Sequence, residues 1–352
     1  MKTFLIFIII LLIFRIYLSS YPEHSKARSK AERYICVVAF GVLVFLAAFR
    51  SENVGADTGG YMADYENINS FRFDFVAKRY SSYWVFYYLM KIFNMMNLPL
   101  WAFFGIVEFV YISSIARLIN RYSKDKLYSI ILFVVLLYSF SLAGMKQVFA
   151  MGLMLYSFIE FIDKRYIRAI ALAVLAYFSH PVAMIFLFAY LLYVIKEKSY
   201  FFLVIFGIVL LFVVGSMTTM ASFVSYLGDD HFERYLEKSE AYSPVVLIFY
   251  LLLLISALPF YKSYCKTTMP KGMARFELGC ICVACSLQYL AFFSPDLFRL
   301  AYLYTPFYLI LLPNAFSSQS GNASQIAKYI VLFGAIFFYA YSSRDFIYTM
   351  SW

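Results

Sequence analysis

The stretch Phe201-Phe-Leu-Val-Ile-Phe-Gly-Ile-Val-Leu-Leu-Phe-Val-Val214 contains no charged side chain. Similar apolar runs of about 15 to 22 residues recur along the chain, and a helix of this length crosses the hydrocarbon core of a bilayer. The apolar residues are continuous and do not alternate with polar ones, so the pattern does not fit a transmembrane β-barrel. Because lipid satisfies no backbone polar groups, these runs predict transmembrane helices.

The composition excludes a soluble domain. The 352 residues are 63% hydrophobic and only 14% charged, whereas about a quarter of the residues in a soluble domain are charged. The formal charge of +10 could suggest nucleic acid, but Lys and Arg lie in short loops and form no basic domain. The sequence therefore predicts one all-α, polytopic integral membrane domain over residues 1–352, with the lipid bilayer as a partner and no nucleic acid.

The spacing of Cys280, Cys282 and Cys285, which have no His partner, does not fit a structural zinc site. These small side chains are better explained as helix-packing residues. We therefore expect neither a metal nor a cofactor.

Basic loops define the predicted topology, since cytoplasmic loops carry an excess of Lys and Arg. Five basic segments are assigned to the inside: 22–33, 117–126, 163–168, 196–198 and 262–275. About twelve spans are consistent with this alternation: 3–20, 34–49, 100–117, 127–143, 146–162, 167–179, 181–195, 200–217, 245–261, 276–293, 297–313 and 326–342. Two larger extracytoplasmic loops, 50–81 and 218–244, follow from this scheme.

The segment 82–97 resembles a helix but does not fit the alternation. Counting it as a span would place the basic loop 117–126 outside. It is therefore predicted to be re-entrant or interfacial, and its aromatic side chains and Lys91 suit the headgroup level. An ordinary thirteenth span is the alternative.

Polar residues at the outer ends of distant helices carry the functional prediction. They are Arg50, Asp57, Lys146, Gln147, His180, Arg234 and Arg299. Several cations at one depth require an anion, and a lipid diphosphate is the polyanion available at a membrane surface. The same cations would stabilise a diphosphate leaving group as its charge develops. Asp57 and His180 are the two candidates for the general base that deprotonates an attacking hydroxyl.

Short motifs at these residues resemble the EpsG and Wzy families of bacterial exopolysaccharide and O-antigen repeat-unit polymerases. Arg50 with Val54-Gly-Ala-Asp57-Thr-x-x-Tyr61 is similar to the family pattern Arg…Val-Gly-Thr-Asp-Thr-x-x-Tyr. Lys146-Gln147-x-x-Ala150 resembles Arg-Gln-x-x-Ala, and the segment ending at His180 resembles Ala-x-x-Phe-His. A looser fourth element is Phe298-Arg299-Leu-Ala-Tyr302. Ala56 and Lys146 depart from the usual Thr and Arg.

The resemblance implies a fold like that of the GT-C glycosyltransferases, in a bacterial plasma membrane. It implies transfer of a growing glycan from polyprenyl (undecaprenyl) diphosphate to the next lipid-linked unit at the extracytoplasmic face. Arg50, Lys146 and Arg299 would bind diphosphate, and Gln147, Tyr61, Arg234 and Tyr302 would bind substrate. Chain-length regulator and flippase proteins are candidate partners. An O-antigen ligase-like enzyme and a non-enzymatic flippase or exporter are the alternative functions.

Each site residue also has a purely structural explanation. Arg50 could be an interfacial anchor, Asp57 a turn residue, and Lys146 a cation extended toward the headgroups. His180 could satisfy backbone groups at the helix break before Pro181. Glu108 lies in the middle of a predicted span, where a carboxylate is a functional candidate by default or is neutral and bonded to a tyrosine.

Overall fold

Continuous apolar sequence forms helices throughout the described part of the chain. The computed structural model describes residues 2–22, 25–214, 244–268, 270–292, 298–319, 321–343 and 348–350. The described residues are 82% helical, and β pairing among them consists of one isolated bridge, between Arg50 and Met350. The predicted all-α, polytopic membrane architecture is confirmed.

The chain divides into two compact units. Unit 1 contains residues 1–122, 126–180 and 335–352, and unit 2 contains residues 123–125 and 181–334.

The described residues of unit 1 form ten α-helices and the last part of an eleventh. The ten are α1 (Lys2–Ser19), α2 (Lys26–Ala48), α3 (Thr58–Asn67), α4 (Phe73–Arg79), α5 (Trp84–Met95), α6 (Leu100–Tyr122), α7 (Lys126–Phe133), α8 (Ser139–Ala143), α9 (Met145–Ile162) and α10 (Tyr166–Ser179). Helix α9 packs between α6 and α10. A Cβ at Gly152 would lie 2.8 Å from the Cα of Tyr111, so the close approach of α9 to α6 requires glycine there.

Unit 2 is built around a buried helix. Its described elements are a 3₁₀ segment Pro181–Phe186, α11 (Leu187–Ile195), α12 (Phe201–Val214), α13 (Val245–Thr267), α14 (Met273–Leu290), α15 (Phe298–Ala301) and α16 (Tyr308–Phe316). Helix α14 contacts α12, α13 and α16. Its buried Glu277 accepts a hydrogen bond of 2.9 Å from the Tyr264 hydroxyl, to which the amide of Asn314 donates at 3.0 Å. The last helix, α17 (Asn322–Ser342), begins in unit 2 and continues into unit 1.

The apolar helices coincide in sequence with the predicted spans. Eight helical segments among the described residues are long and apolar enough to cross a membrane: Lys2–Ser19, Lys26–Ala48, Leu100–Tyr122, Lys126–Ala143, Met145–Ile162, Val245–Thr267, Met273–Leu290 and Asn322–Ser342. Shorter apolar segments occupy the remaining predicted positions: Tyr166–Ser179, Pro181–Ile195, Phe201–Leu210 and Thr305–Phe316. The chain is therefore a multi-pass membrane protein, while the number of crossings stays a prediction.

Loops of unit 1 that the sequence assigns to the inside meet in one cluster of charges, the ion-pair end. Glu160 accepts hydrogen bonds from Arg117 at 2.9 Å and from Arg165 at 3.2 Å. Arg121 donates to Asp163 at 2.5 Å, and this hydrogen bond holds the pKa of Asp163 below its usual value. Opposite charges thus join the C-terminal ends of α6 and α9.

The predicted outer segment 50–81 contains α3 and α4, and helix α5 follows it. The sequence suggests headgroup positions for the aromatic side chains and Lys91 of 82–97. In the structure Phe86, Tyr87 and Lys91 are buried in unit 1. The Lys91 ammonium donates to the carbonyl oxygens of Ile68 and Phe71. A re-entrant or interfacial position for this segment stays a prediction.

A short segment near residue 350 pairs with the residues that follow α2. The Ser51 amide donates to the Thr349 carbonyl at 2.9 Å, and the two hydroxyl groups are hydrogen-bonded to each other. The Tyr348 hydroxyl donates to the Leu46 carbonyl at 2.6 Å. Through these hydrogen bonds, a segment about 300 residues later in the chain fixes the backbone at the start of the first motif.

Candidate functional site

The loop of the first motif is packed on the backbone at the end of α8. Gly55 has a φ of +92°, a left-handed conformation that side chains with a Cβ rarely adopt. A Cβ there would lie 2.3 Å from the Leu142 carbonyl oxygen. The Thr58 hydroxyl is fully buried, donates to the Val54 carbonyl at 2.5 Å and lies 3.3 Å from the same Leu142 oxygen. Gly55 and Thr58 thus fix the first motif next to the start of α9, where the second motif begins.

Lys146 lies in the first turn of α9 and is surrounded by tyrosine rings. Its Nζ atom is 4.4 Å from the ring centroid of Tyr83, 5.6 Å from that of Tyr87 and 5.8 Å from that of Tyr61. All three rings are buried, and Lys146 is half-buried. These distances are within the range of cation–π attraction. Tyr61 belongs to the first motif, so the first and second motifs meet at this ammonium.

The third motif reaches the same group of rings through Tyr83. The His180 imidazole packs edge-on against Tyr83, with ring centroids 5.1 Å apart. His180 ends α10 in an extended conformation, and its amide donates to the Ala176 carbonyl at 2.9 Å. Tyr61, Tyr83, Tyr87, Lys146 and His180 are named here the tyrosine–lysine cluster.

A carboxylate outside the motifs anchors the cluster. The Tyr87 hydroxyl donates to Asp64 at 2.9 Å, and the Tyr80 hydroxyl donates to the same carboxylate at 3.4 Å. The rings of Tyr80 and Tyr87 are stacked, with centroids 3.5 Å apart. Asp64 thereby fixes one of the three rings that contact Lys146.

Asp57 and Gln147 flank the contacts just described. Asp57 immediately precedes α3, and its carbonyl accepts from the Tyr61 amide at 3.1 Å, while its carboxylate does not cap the helix. It lies between Gly55 and Thr58, so its backbone is held close to Leu142. Gln147 follows Lys146 and is buried in α9.

Arg50 is turned into the interior of unit 1. Its guanidinium is fully buried, donates to the Ala47 carbonyl at 2.7 Å and lies 3.5 Å from the Glu108 carboxylate. It also lies over the Phe104 ring, 4.5 Å from the centroid. Glu108 is fully buried as well. The mid-span carboxylate is therefore the counter-ion of the first motif's arginine.

A cleft of about 340 Å³ lies beside Arg50. It is lined by Ala48, Phe49, Arg50, Met62, Leu100, Trp101 and Phe104. The Phe49 and Trp101 rings stack in its wall, with centroids 5.1 Å apart. The cleft is apolar apart from the arginine.

The other predicted site residues do not belong to unit 1. Arg299 lies in α15 of unit 2, and Tyr302 follows that helix with its ring 5.7 Å from that of Phe298. Arg299 and Tyr302 stay predictions as substrate ligands. Arg234 and most of the predicted loop 218–244 lie outside the described residues.

Comparison with known proteins identifies the family. The sequence model of the EpsG family matches residues 33–351. The chain belongs to the EpsG family. No curated protein and no solved structure gives a significant match. The EpsG match contains all four motifs, and together with the apolar helices it identifies a multi-pass membrane protein of polysaccharide biosynthesis.

Membership in the EpsG family confirms the resemblance, but the structure adds residues that the motifs do not contain. Tyr83 and Tyr87 lie next to Lys146, yet the sequence suggested headgroup positions for the aromatic residues of their segment. Their spacing of four residues, which places both on one face of a helix, is the signal that could have indicated them. Asp64 has no comparable signal, because its partners Tyr80 and Tyr87 are distant in sequence.

No group of three or more His, Cys, Asp and Glu side chains is close enough to hold a metal ion in the part of the chain described above. The expectation that the protein uses no metal stays a prediction.

Proposed function

We propose that this EpsG-family protein is a glycosyltransferase that polymerises lipid-linked repeat units at the extracytoplasmic membrane face. It transfers a growing glycan from polyprenyl diphosphate to a hydroxyl of the next lipid-linked unit. The observation that carries this proposal is the meeting of three separate motifs around Lys146. The substrates lie in the bilayer, which agrees with a multi-pass chain.

The proposed reaction breaks one bond and forms one. The acceptor hydroxyl oxygen attacks the anomeric carbon, and the bond from that carbon to the diphosphate oxygen breaks. The electron pair leaves with polyprenyl diphosphate, and the proton of the hydroxyl passes to the general base. Each step needs a group that the tyrosine–lysine cluster or its neighbour Asp57 can supply.

Lys146 is the proposed stabiliser of the leaving group. An ammonium next to the departing diphosphate lowers the barrier as negative charge develops on that oxygen. Tyrosine faces hold the ammonium by attraction to the ring quadrupole, and they leave its net positive charge in place. This is the electrostatic role that the family motif predicts for a cation at position 146.

His180 and Asp57 are the two proposed bases. The His180 imidazole contacts the same Tyr83 ring as Lys146, which is the proposed diphosphate ligand. Asp57 is held close to Leu142, four residues before Lys146 in the chain. A base must lie within hydrogen-bond reach of the acceptor hydroxyl, and both residues are near enough to the cluster to be tested.

Arg50 as a diphosphate ligand requires a rearrangement. Its guanidinium is buried against Glu108 and Phe104, so it has to exchange or share its counter-ion to reach a phosphate. Arg299 is the second proposed ligand, with Gln147, Tyr61 and Tyr302 as neighbours of the substrate. These roles rest on the family motifs.

Chain extension by purified protein tests the proposal. Detergent-solubilised protein is mixed with lipid-linked repeat units, and the products are separated by length on a gel. We expect a ladder of lipid-linked oligomers from the wild type and no visible ladder from Lys146→Met in the same reaction time. Wild-type protein that is monodisperse and yet lengthens nothing contradicts the polymerase proposal.

The same assay determines which of the two candidates is the general base. His180→Asn and Asp57→Asn each remove one candidate while conserving size. The variant that lacks the true general base should lose chain extension at every pH, whereas the other variant should still produce a ladder. Full ladders from both variants contradict both assignments.

A further inference from the structure

Tyr83 occupies a position that neither the motifs nor the family match singles out. Its ring lies 4.4 Å from the Lys146 ammonium and 5.1 Å from the centroid of the His180 imidazole. Its ring therefore contacts both of these proposed functional groups. Lys146 and His180 belong to different helices, so one aromatic side chain sets the spacing between them.

Hydrogen bonds fix the main chain at Tyr83. Its amide donates to the Tyr80 carbonyl at 2.8 Å, and its carbonyl accepts from the Tyr87 amide at 3.2 Å. Tyr83 directly precedes α5, and the residue is only 9% exposed. A ring fixed in this way offers a rigid surface to its neighbours.

Lys146 needs such a surface because of its place in the fold. It lies in the first turn of α9, where the helix dipole presents its positive end and disfavours a cation. Aromatic faces attract an ammonium most strongly when it is shielded from water, and Lys146 is half-buried. Tyr83 is the nearest of the three rings and the one that also contacts His180.

We propose that Tyr83 is a positioning residue for the transfer reaction: its ring holds the Lys146 ammonium and the His180 imidazole in fixed relation. This role rests on the polymerase function proposed above. Tyr83 itself does not touch the reacting atoms, and it acts through Lys146 and His180. This positioning role therefore belongs to the aromatic ring of Tyr83.

Conservative and disruptive variants at this position test the proposal in the extension assay. Tyr83→Phe keeps the ring, and its kcat should stay within about twofold of the wild type. Tyr83→Leu removes the ring, and its kcat should fall by about tenfold with little change in KM, because a displaced ammonium stabilises the transition state less well. Tyr65→Leu is the matched control, since Tyr65 is a buried tyrosine of unit 1 that packs on Phe103.

A double-mutant cycle distinguishes positioning from a general loss of packing. If Tyr83 acts by holding Lys146 and His180 in fixed relation, then Tyr83→Leu should change the residual rate of Lys146→Met by less than about twofold, measured over long incubations with labelled units. A further tenfold loss in that background means that Tyr83 acts independently, which overturns the proposal.

Fluorinated phenylalanines provide a test that does not depend on Tyr83→Leu folding. Adding one, two or three fluorines to a Phe at position 83 weakens the ring quadrupole with little change in shape. We expect kcat to fall stepwise with each fluorine. A kcat that is the same across the series overturns the proposal, while a wild type that lengthens no chains overturns the polymerase function instead.

Discussion

Positively charged side chains have different partners at the two ends of unit 1. At the ion-pair end, Arg117, Arg121 and Arg165 contact carboxylates at 2.5 to 3.2 Å. In the tyrosine–lysine cluster, Lys146 contacts the faces of three tyrosines. A carboxylate cancels the charge of its partner, whereas a ring stabilises a cation without changing the net charge.

This difference separates a structural use of charge from a chemical one. Ion pairs join the C-terminal ends of α6 and α9, and each carboxylate there offsets the charge of a neighbouring arginine. Aromatic faces can hold an ammonium in the protein while its charge remains available to an anion. Arg50 combines the two arrangements, because it has both Glu108 and the Phe104 ring as neighbours.

The largest effect is expected from breaking the buried pair. Arg50→Met leaves Glu108 as a buried carboxylate without its cation, and such a change costs about 3 to 5 kcal/mol of stability. Adding Glu108→Gln should recover most of this loss, because the second charge is removed too. Thermal unfolding in detergent measures both variants.

Chain extension by the Arg50→Met/Glu108→Gln variant then assigns the role of Arg50. A stable variant that still polymerises means that Arg50 supports the fold and binds no diphosphate. A stable variant that forms no oligomers supports direct contact with the substrate.

The next prediction compares the loss of a cation from the tyrosine–lysine cluster with the loss of a cation from the ion-pair end. Lys146→Met should reduce extension by at least about 100-fold, the loss typical of removing one group that stabilises a developing anion. Arg165→Met, at the ion-pair end, should leave the rate within about twofold, since its partner Glu160 is also bound by Arg117. Equal losses in the two variants would remove the distinction between the ends.

Replacement of Lys146 by Arg sharpens this comparison. The family motif has Arg at this position, and a guanidinium also stacks on aromatic rings. We therefore expect Lys146→Arg to retain part of the activity that Lys146→Met loses. The same gel assay measures both.

A smaller effect concerns the loop that holds the first motif against α8. Gly55→Ala should cost about 1 to 3 kcal/mol, because Gly55 has a φ of +92° and its Cβ would clash with the Leu142 carbonyl. Gly59→Ala is the control, since a Cβ there meets nothing within 4 Å. Its helical position should make that alanine neutral or slightly stabilising. Melting temperatures that fall equally in both variants would contradict this account of Gly55.

The smallest effect is expected at an exposed ion pair. The Arg165 side chain is 51% exposed where it contacts Glu160, so Arg165→Ala should change the free energy of unfolding by less than about 1 kcal/mol. Melting in low and high salt measures this change. A large, salt-independent loss would mean that the ion-pair end is more than a set of surface contacts.

Hydropathy and loop charge were sufficient to predict much of the fold. Eight of the predicted spans coincide with helices that are long and apolar enough to cross a membrane, because the bilayer sets the length of a continuous apolar run. The other four coincide in part with shorter apolar segments. The motif residues also suggested that Asp57, Lys146 and His180 lie at one end of their helices. Tyr83 links the last two directly.

Side-chain orientation could not be predicted in the same way. Hydropathy does not fix the rotation of a helix about its axis, so Glu108 could not be assigned to Arg50 from sequence. The aromatic residues of α5 looked interfacial, because Tyr and Trp are enriched there, yet Tyr87 bonds Asp64 inside unit 1. The β-bridge between Arg50 and Met350 depends on residues with no distinctive pattern.

That bridge has a consequence for biogenesis. Arg50 and Ser51 leave the ribosome early, but their partners at Thr349 and Met350 are synthesised about 300 residues later. The nascent first motif therefore lacks these backbone partners during insertion of the intervening helices. A protein assembled in this order would gain its finished arginine loop only after residue 350 has been translated, which would keep shorter nascent chains inactive.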